Sequence, residues 1–271
     1  MKQLQGRTAV ITGGGSGIGR ATALRLADKG CQLALVDLNA DRLAEMRAEL
    51  EARGVRTSTH IADVADATRM QALVAEVVAE HGAVHILVNN AGVSVIKNFE
   101  DHTLDDFQWL VGINFWGVVH GCMFFLPELR KVDEAHIVNV SSMFGFMGVP
   151  GQTSYCATKF AVRGFTESLW AELDGSGIGV TSIHPGGVAT NIATSSRVNN
   201  EQDRQRLHDA TQKHGHSPDS IAQAIMSGIE NRRLRVISGI EAYVVDWMKR
   251  LFPIRSQSWI AKRMNPNQPA A

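Results

Sequence analysis

The sequence predicts an α/β fold, a largely parallel sheet covered by helices on both faces. Three observations lead there. Short aliphatic or β-branched runs alternate with helix-patterned segments through most of the 271 residues, and repeated βα units of this kind build parallel sheets. The strand runs are almost wholly apolar, as strands buried on both faces are. The first strand ends in a glycine-rich turn that leads into a helix, the order of a βαβ unit. Length alone would permit two domains. No internal repeat and no low-complexity linker divides the chain, so one domain over residues 1–271 is expected.

The elements follow in order. "RTAVIT" (7–12) is a buried strand, and 17–29 is a helix with Leu24 and Leu26 among its apolar positions. "CQLALVD" (31–37) is the second strand. "DRLAEMRAELEAR" (41–53) places Leu43, Met46 and Leu50 at helical spacing, and Gly54 stops it. "RTSTHIAD" (56–63) is strand three, 67–80 a helix ended by Gly82, and "VHILVNNAG" (84–92) strand four. Two helices are expected over 104–112 and 114–130. "AHIVNVSS" (135–142) is strand five, 153–173 a helix, and "GVTSIHPG" (179–186) strand six. Residues 190–214 are polar and weakly periodic, which suggests a mobile flap with some helix. Ser217 caps a further helix, with Pro218 in its first turn and an end near Asn231. "RVISG" (235–239) is a last strand and "EAYVVDWMKRLF" (241–252) an amphipathic helix. The tail after Pro253, at the least past Asn265, is expected to be disordered.

Composition excludes some functions. Lys+Arg and Asp+Glu are both 27, so there is no basic surplus to favour nucleic acid. Cys31, Cys122 and Cys156 are odd in number and lack metal-ligand spacing. With an N-terminal "MKQLQGRTAV" that has no apolar core, they point to a reducing compartment, the cytoplasm. The stretch "FWGVVHGCMFFLPEL", interrupted by His120 and Pro127, reads as too short to span a bilayer.

The turn "TGGGSGIG" (12–19) departs from the general Gly-x-Gly-x-x-Gly pattern, because Ile18 stands where the third glycine belongs. The spacing Gly13, Gly17, Gly19 serves the same physics: a tight turn, and backbone N–H groups that can approach a pyrophosphate at a helix N-terminus. Asp37 ends strand two, 18 residues after Gly19. A carboxylate there accepts hydrogen bonds from ribose hydroxyls and repels a 2′-phosphate. Ser16 and Leu38 supply no cation. NAD is therefore favoured over NADP, with Arg20 and Arg42 near enough to leave NADP open.

Four motifs in order, this turn, "NNAG" (89–92), Ser142, and Tyr155 with Lys159 in "SYCATK" (154–159), resemble the short-chain dehydrogenase/reductase family over about residues 5–240. The resemblance implies a Rossmann-type doubly wound three-layer sandwich with a mostly parallel seven-stranded sheet, a nicotinamide cofactor, and a homodimer or homotetramer. It also implies site residues. The glycine motif falls on Thr12, Gly13, Gly17, Ile18 and Gly19, with Ser16 inside the turn, and the strand-two acid is Asp37. Asp63 and Val64 lie beside the adenine. Asn89, Asn90, Ala91 and Gly92 form the strand-four motif, and Asn114 in "GINFWG" is the structural and relay asparagine. The catalytic serine stands 13 residues before the tyrosine, which selects Ser142 over Ser141. "PGGVAT" puts Pro185, Gly186, Val188 and Thr190 at the nicotinamide carboxamide.

The chemistry implied is interconversion of a primary or secondary alcohol with its aldehyde or ketone. A free phenol, with a pKa of about 10, is too weak an acid to act as a base near neutrality. Tyr155 and Lys159, four apart, share a helix face, so the ammonium is expected to favour the phenolate. Ser142 donates to the substrate oxygen, and Asn114 holds a water that relays protons from Lys159. Val93, Val95, Met143, Phe144, Phe146, Val149 and Ile192 are read as a mostly apolar substrate wall, hence a hydrophobic substrate. The alternative function is a catalytically silent NAD-binding sensor. His214 and His216 read as solvated, His184 as a packed strand-end histidine and Cys156 as core. The C-terminal segment is expected to pack on the body or on a neighbouring subunit. Covering the active site and lying on a membrane surface are less favoured.

Overall fold

The computed structural model describes residues 1–190 and 192–264, the side chains of a few, His214 and Arg263 among them, excepted. The tail expected to be disordered past Asn265 lies outside the described residues. In chain order the elements are β1 (Thr8–Thr12), α1 (Gly17–Asp28), β2 (Gln32–Asp37), α2 (Ala40–Ala52), β3 (Thr57–Ile61), α3 (Ala67–His81), β4 (Ile86–Asn89) and β5 (Val95–Ile96). Then come α4 (Leu104–Val111), α5 (Gly117–Leu129), β6 (Ala135–Val140), α6 (Thr153–Glu172), β7 (Ile178–Pro185), α7 (Ile192–Ser195) and β8 (Arg197–Val198). The chain continues through α8 (Glu201–His214), α9 (Pro218–Asn231), β9 (Arg235–Ser238), α10 (Ile240–Leu251) and α11 (Pro253–Met264).

Seven strands form one sheet in the order β3-β2-β1-β4-β6-β7-β9, and every pairing is parallel. The order reverses between β1 and β4, which opens a crevice beyond the carboxyl ends of those strands. Register fixes what meets there. Thr12 pairs with Val36, which sets Gly13 level with Asp37, and Asn89 pairs with Asn139, which brings the strand-four motif level with the end of β6. Helices bury one apolar layer on each face of the sheet. Leu26, Leu43, Leu50 and Ile225 belong to one layer, and Leu73, Val77, Phe125 and Leu129 to the other.

Three regions differ from the sequence expectation. The two helices expected over 104–112 and 114–130 are joined by a π-helical turn at Gly112–Trp116. The resulting helix, Leu104–Leu129, is 26 residues long and passes the length and composition test for a membrane span. It lies along the sheet, with Val118, Cys122, Phe125 and Leu129 buried. The region read as a mobile flap with some helix contains, among its described residues, an unexpected strand, β8. β8 pairs with β5, and Arg197 reaches Asp105 at 2.6 Å and Asp106 at 3.1 Å while its guanidinium sits 4.2 Å from the Trp109 ring centroid. Pro253–Met264, part of the tail expected to be disordered, form a helix, α11, because Ser256 and Ile260, four apart, are buried against the body.

Candidate active site

A cleft of about 560 Å³ follows the crevice and joins the glycine turn, the strand ends and the flap. Gly13, Ser16, Gly17, Ile18, Asp37, Asp63, Val64, Asn90, Ala91, Gly92, Pro185, Gly186, Val188 and Thr190 line it, all of them expected cofactor positions.

The turn after β1 is held open by local bonding. Gly13 and Gly17 have φ of 64° and 52°, the left-handed region that glycine enters freely. A Cβ on Gly13 would stand 2.9 Å from Asn90 Nδ2. Asn90 braces the turn from β4: its Nδ2 donates to the Thr12 carbonyl at 2.9 Å, and its backbone N–H donates to Thr12 Oγ1 at 3.0 Å. Ser16 precedes α1 without a side-chain cap bond, and the first turn holds no acid. The first N–H groups of α1 thus face the cleft as an anion site. At the next strand end the Asp37 carboxylate accepts from the Gly15 and Asn39 N–H groups, both at 3.0 Å, which fixes its direction. This cradle fits a dinucleotide: glycines where a side chain would intrude, free helix N–H groups for a pyrophosphate, and an oriented carboxylate for ribose hydroxyls. Gly19 is a correction. It does not line the cleft; a Cβ there would collide with the Gly13 carbonyl, so its role is to let α1 pack under the turn.

On the other side, β6 and α6 bring the reactive groups together. Ser142 follows β6, and its Oγ accepts from the Phe144 N–H at 3.1 Å, which leaves its own hydrogen to donate. It acts on the Tyr155 phenol as a hydrogen-bond partner that favours ionisation. Lys159 Nζ lies 5.5 Å from the Tyr155 ring centroid and donates to the Val140 carbonyl at 3.0 Å. Among the protein's own groups, burial opposes the expected acid phenol. Burial pushes Tyr155 up to about 12, outweighing the Ser142 bond, and pushes Lys159 down to about 8. The amine is aimed at a backbone carbonyl. With protein groups alone the pair is therefore a neutral phenol beside a weakened ammonium.

Asn114 does not line the cleft. It sits in the π-turn, fully buried, with Oδ1 accepting from the Val93 N–H at 2.8 Å and Nδ2 donating to the Val93 carbonyl at 2.9 Å. Its side chain thus braces the backbone after β4. A Cβ on Gly92 would stand 3.3 Å from Asn114 Oδ1 and 3.6 Å from Lys159 Nζ, so glycine there lets these groups approach the strand end.

The substrate wall is partly as expected. Val93, Met143, Phe144 and Ile192 line the cleft. Val95, Phe146 and Val149 do not: Val95, in β5, is fully buried, and its neighbour Ile96 faces the cleft instead. Phe146 stacks on His184 at 4.2 Å, and Val149 packs with Val245 and Ile260 of the terminal helices. Cys156 belongs to that same buried cluster, as expected. His184 is a packed histidine, bonded to Ser182 Oγ and the Ser142 carbonyl, with burial pushing it down to about 3.

Sequence reasoning missed Ile96, Gln152 and the Thr194–Ser196 rim. Only Gln152, three residues before Tyr155 at the start of α6, left a signal. It also missed an anchor. His216, read as solvated, bonds Glu241 at 2.9 Å, and Glu241 accepts from the Gly187 N–H at 3.1 Å. A Cβ on Gly186 would collide with that carboxylate. The pair fastens the loop after β7 to α10.

Comparison with known proteins identifies the family. The family model described as short chain dehydrogenase matches residues 7–201. SadH of Mycobacterium tuberculosis, named as an oxidoreductase, is 39% identical over 265 residues, 96% of each chain. A C alpha-dehydrogenase of a Sphingobium species is 35% identical over 250 residues, 88% of this chain and 82% of its own. The crystal structure of a short-chain dehydrogenase/reductase from Burkholderia phymatum in complex with NAD superposes with a TM-score of 0.88 over 100% of both chains at 29% identity. By fold, motif order and sequence, the chain belongs to the short-chain dehydrogenase/reductase family of oxidoreductases.

Proposed function

We propose that the protein interconverts a hydrophobic alcohol and its ketone or aldehyde with NAD as cofactor, Tyr155 serving as general acid and base. The observation that carries this reading is the convergence of Ser142, Tyr155 and Lys159 on one cleft that also contains the dinucleotide cradle. A bound nicotinamide supplies or takes the hydride and, when oxidised, adds a positive charge to the site.

The chain's own groups do the rest. Gly13, Gly17, Ile18 and the start of α1 bind the diphosphate, and Asp37 takes the ribose hydroxyls and disfavours a 2′-phosphate. Asp63, Val64, Asn90, Ala91 and Gly92 form the wall along the adenosine half. Pro185, Gly186, Val188 and Thr190, held by the His216–Glu241 anchor, orient the carboxamide. Ser142 donates to the substrate oxygen and fixes its place. Tyr155 delivers the proton to that oxygen in reduction and removes it in oxidation. Its raised pKa keeps it protonated and ready in the reducing direction. Lys159 supplies the charge that eases ionisation in the oxidising direction. Val93, Ile96, Met143, Phe144 and Ile192 exclude water and favour an apolar substrate.

Steady-state turnover with NAD and with NADP on aliphatic, aromatic and polyol alcohols tests the proposal. Preference for NAD and for an apolar alcohol is expected. NAD binding without turnover of any alcohol or carbonyl compound would instead establish a sensor.

A further inference from the structure

We propose that the outer face of α10 and α11 is a contact surface for an anionic lipid bilayer. Ile240, Tyr243, Val244, Trp247 and Leu251 recur at helical spacing and form one stripe on α10. All are exposed, Trp247 by 62% and Leu251 by 61%. Phe252, Ile254 and Trp259 extend the apolar surface past the turn at Pro253, with Ile254 exposed by 79%. These are not frayed helices. Ala242, Val245 and Asp246 on the inner face of α10, and Ser256 and Ile260 on that of α11, are buried against the body. The orientation is defined, and it turns a continuous band of aromatic and aliphatic side chains outward. Monomeric proteins rarely expose such a band without a partner.

Charge identifies the partner. The two helices contain only two carboxylates, Glu241 and Asp246, and both are engaged. Glu241 bonds His216 and the Gly187 N–H, and Asp246 pairs with Arg250 at 2.9 Å and Arg235 at 3.6 Å. Lys249 donates to the Pro253 carbonyl and to Gln257 Oε1, both uncharged. Among the described residues no carboxylate pairs with Arg255 or Lys262. The face is therefore apolar and basic, with no free acid of its own. A second copy placed on it by a two-fold axis would set cation against cation. A bilayer with acidic headgroups offers both what the tryptophans and tyrosine prefer and what the cations need.

The surface adjoins the cleft. Val245 and Ile260 pack with Phe146, Met147 and Val149, and Phe144, which lines the cleft, leans on the same cluster. Gln257 Nε2 donates to the Gly148 carbonyl at 2.8 Å. Docking through this face holds the loop from Ser142 to Gly151 near the lipid.

The test is co-sedimentation of the full chain with vesicles of phosphatidylcholine, with and without phosphatidylglycerol. The expected result is binding to the mixed vesicles, weakened by salt, and reduced about tenfold or more by Trp247→Glu with Leu251→Glu. Arg255→Glu with Lys262→Glu, at exposed sites that leave the fold intact, should remove the preference for acidic vesicles. Failure of the wild-type chain to bind either vesicle would overturn the proposal. So would sedimentation velocity showing that Trp247→Glu splits an oligomer while vesicle binding is absent, since the face would then be a subunit contact.

Discussion

On the side of the cleft proposed for the dinucleotide, the lining is made largely by backbone. The turn after β1, the first N–H groups of α1 and the N–H-anchored Asp37 carboxylate are set by strand register and by glycines with positive φ. The substrate side is made by side chains brought from far apart in the chain. Arg197 reaches Asp105 and Asp106, and Val149 is covered by Val245 and Ile260. The difference teaches that the first half should resist change except at its glycines and its carboxylate, while the second should tolerate substitution and alter substrate preference. The contrast parallels a fixed cofactor and an adaptable substrate.

The largest expected effect lies in the backbone half. Gly19→Val drives a side chain into the Gly13 carbonyl and the Asn90 amide. Rigid neighbours on both sides make relief costly, so a loss of about 3 kcal/mol of stability is expected, together with loss of NAD binding. Denaturant unfolding and NAD titration check it, and a stable variant that still binds NAD would mean the turn is more pliant than described.

Lys159 comes next, because it joins the two halves. Burial lowers its pKa from 10.5 to about 8. Its folded pKa is depressed, so stability relative to Lys159→Met is highest above pH 10.5, falls as pH drops to about 8, and is level below that. The span is on the order of 3 kcal/mol. Unfolding free energies measured across this range would show no such divergence if the amine were solvated.

Asp37→Ala removes the ribose acceptor and frees the Gly15 and Asn39 N–H groups. A ten- to hundredfold loss of NAD affinity is expected, as for a charged hydrogen bond, with NADP affinity changed far less. The KM for the alcohol should be almost unaffected, which separates the halves. The smallest effect is at the flap. Arg197→Ala breaks a partly exposed pairing worth about 1 kcal/mol and leaves the buried Asp106 carboxylate with Lys97 alone as its cation. The alcohol KM should rise several-fold while the Kd for NAD stays constant. If NAD affinity fell equally, the halves would not be independent.

The same contrast explains what could be read from the sequence. Gly13, Gly17, Asp37, Ser142, Tyr155 and Lys159 were legible because each sits at a strand end or helix start, and one turn of chain fixes its direction. Val95 was misread for Ile96 because successive strand residues face opposite ways, and sequence alone does not tell which faces the cleft at a two-residue strand. Phe146 and Val149 were misread because the residues that cover them come from α10 and α11, about a hundred positions later. The π-turn that turns Asn114 onto Val93 carries no periodic signature. Asp106 caps α4, and its second role as the flap's anchor depends on Arg197, 91 positions later.

The central claim is that Tyr155 carries the proton. Its most direct test is the kcat of Tyr155→Phe measured beside the wild type on the best alcohol of the panel, with NAD binding determined in parallel. A fall of roughly 10²–10⁴-fold in kcat with NAD affinity retained is the predicted result. Full turnover by the phenylalanine variant would contradict it.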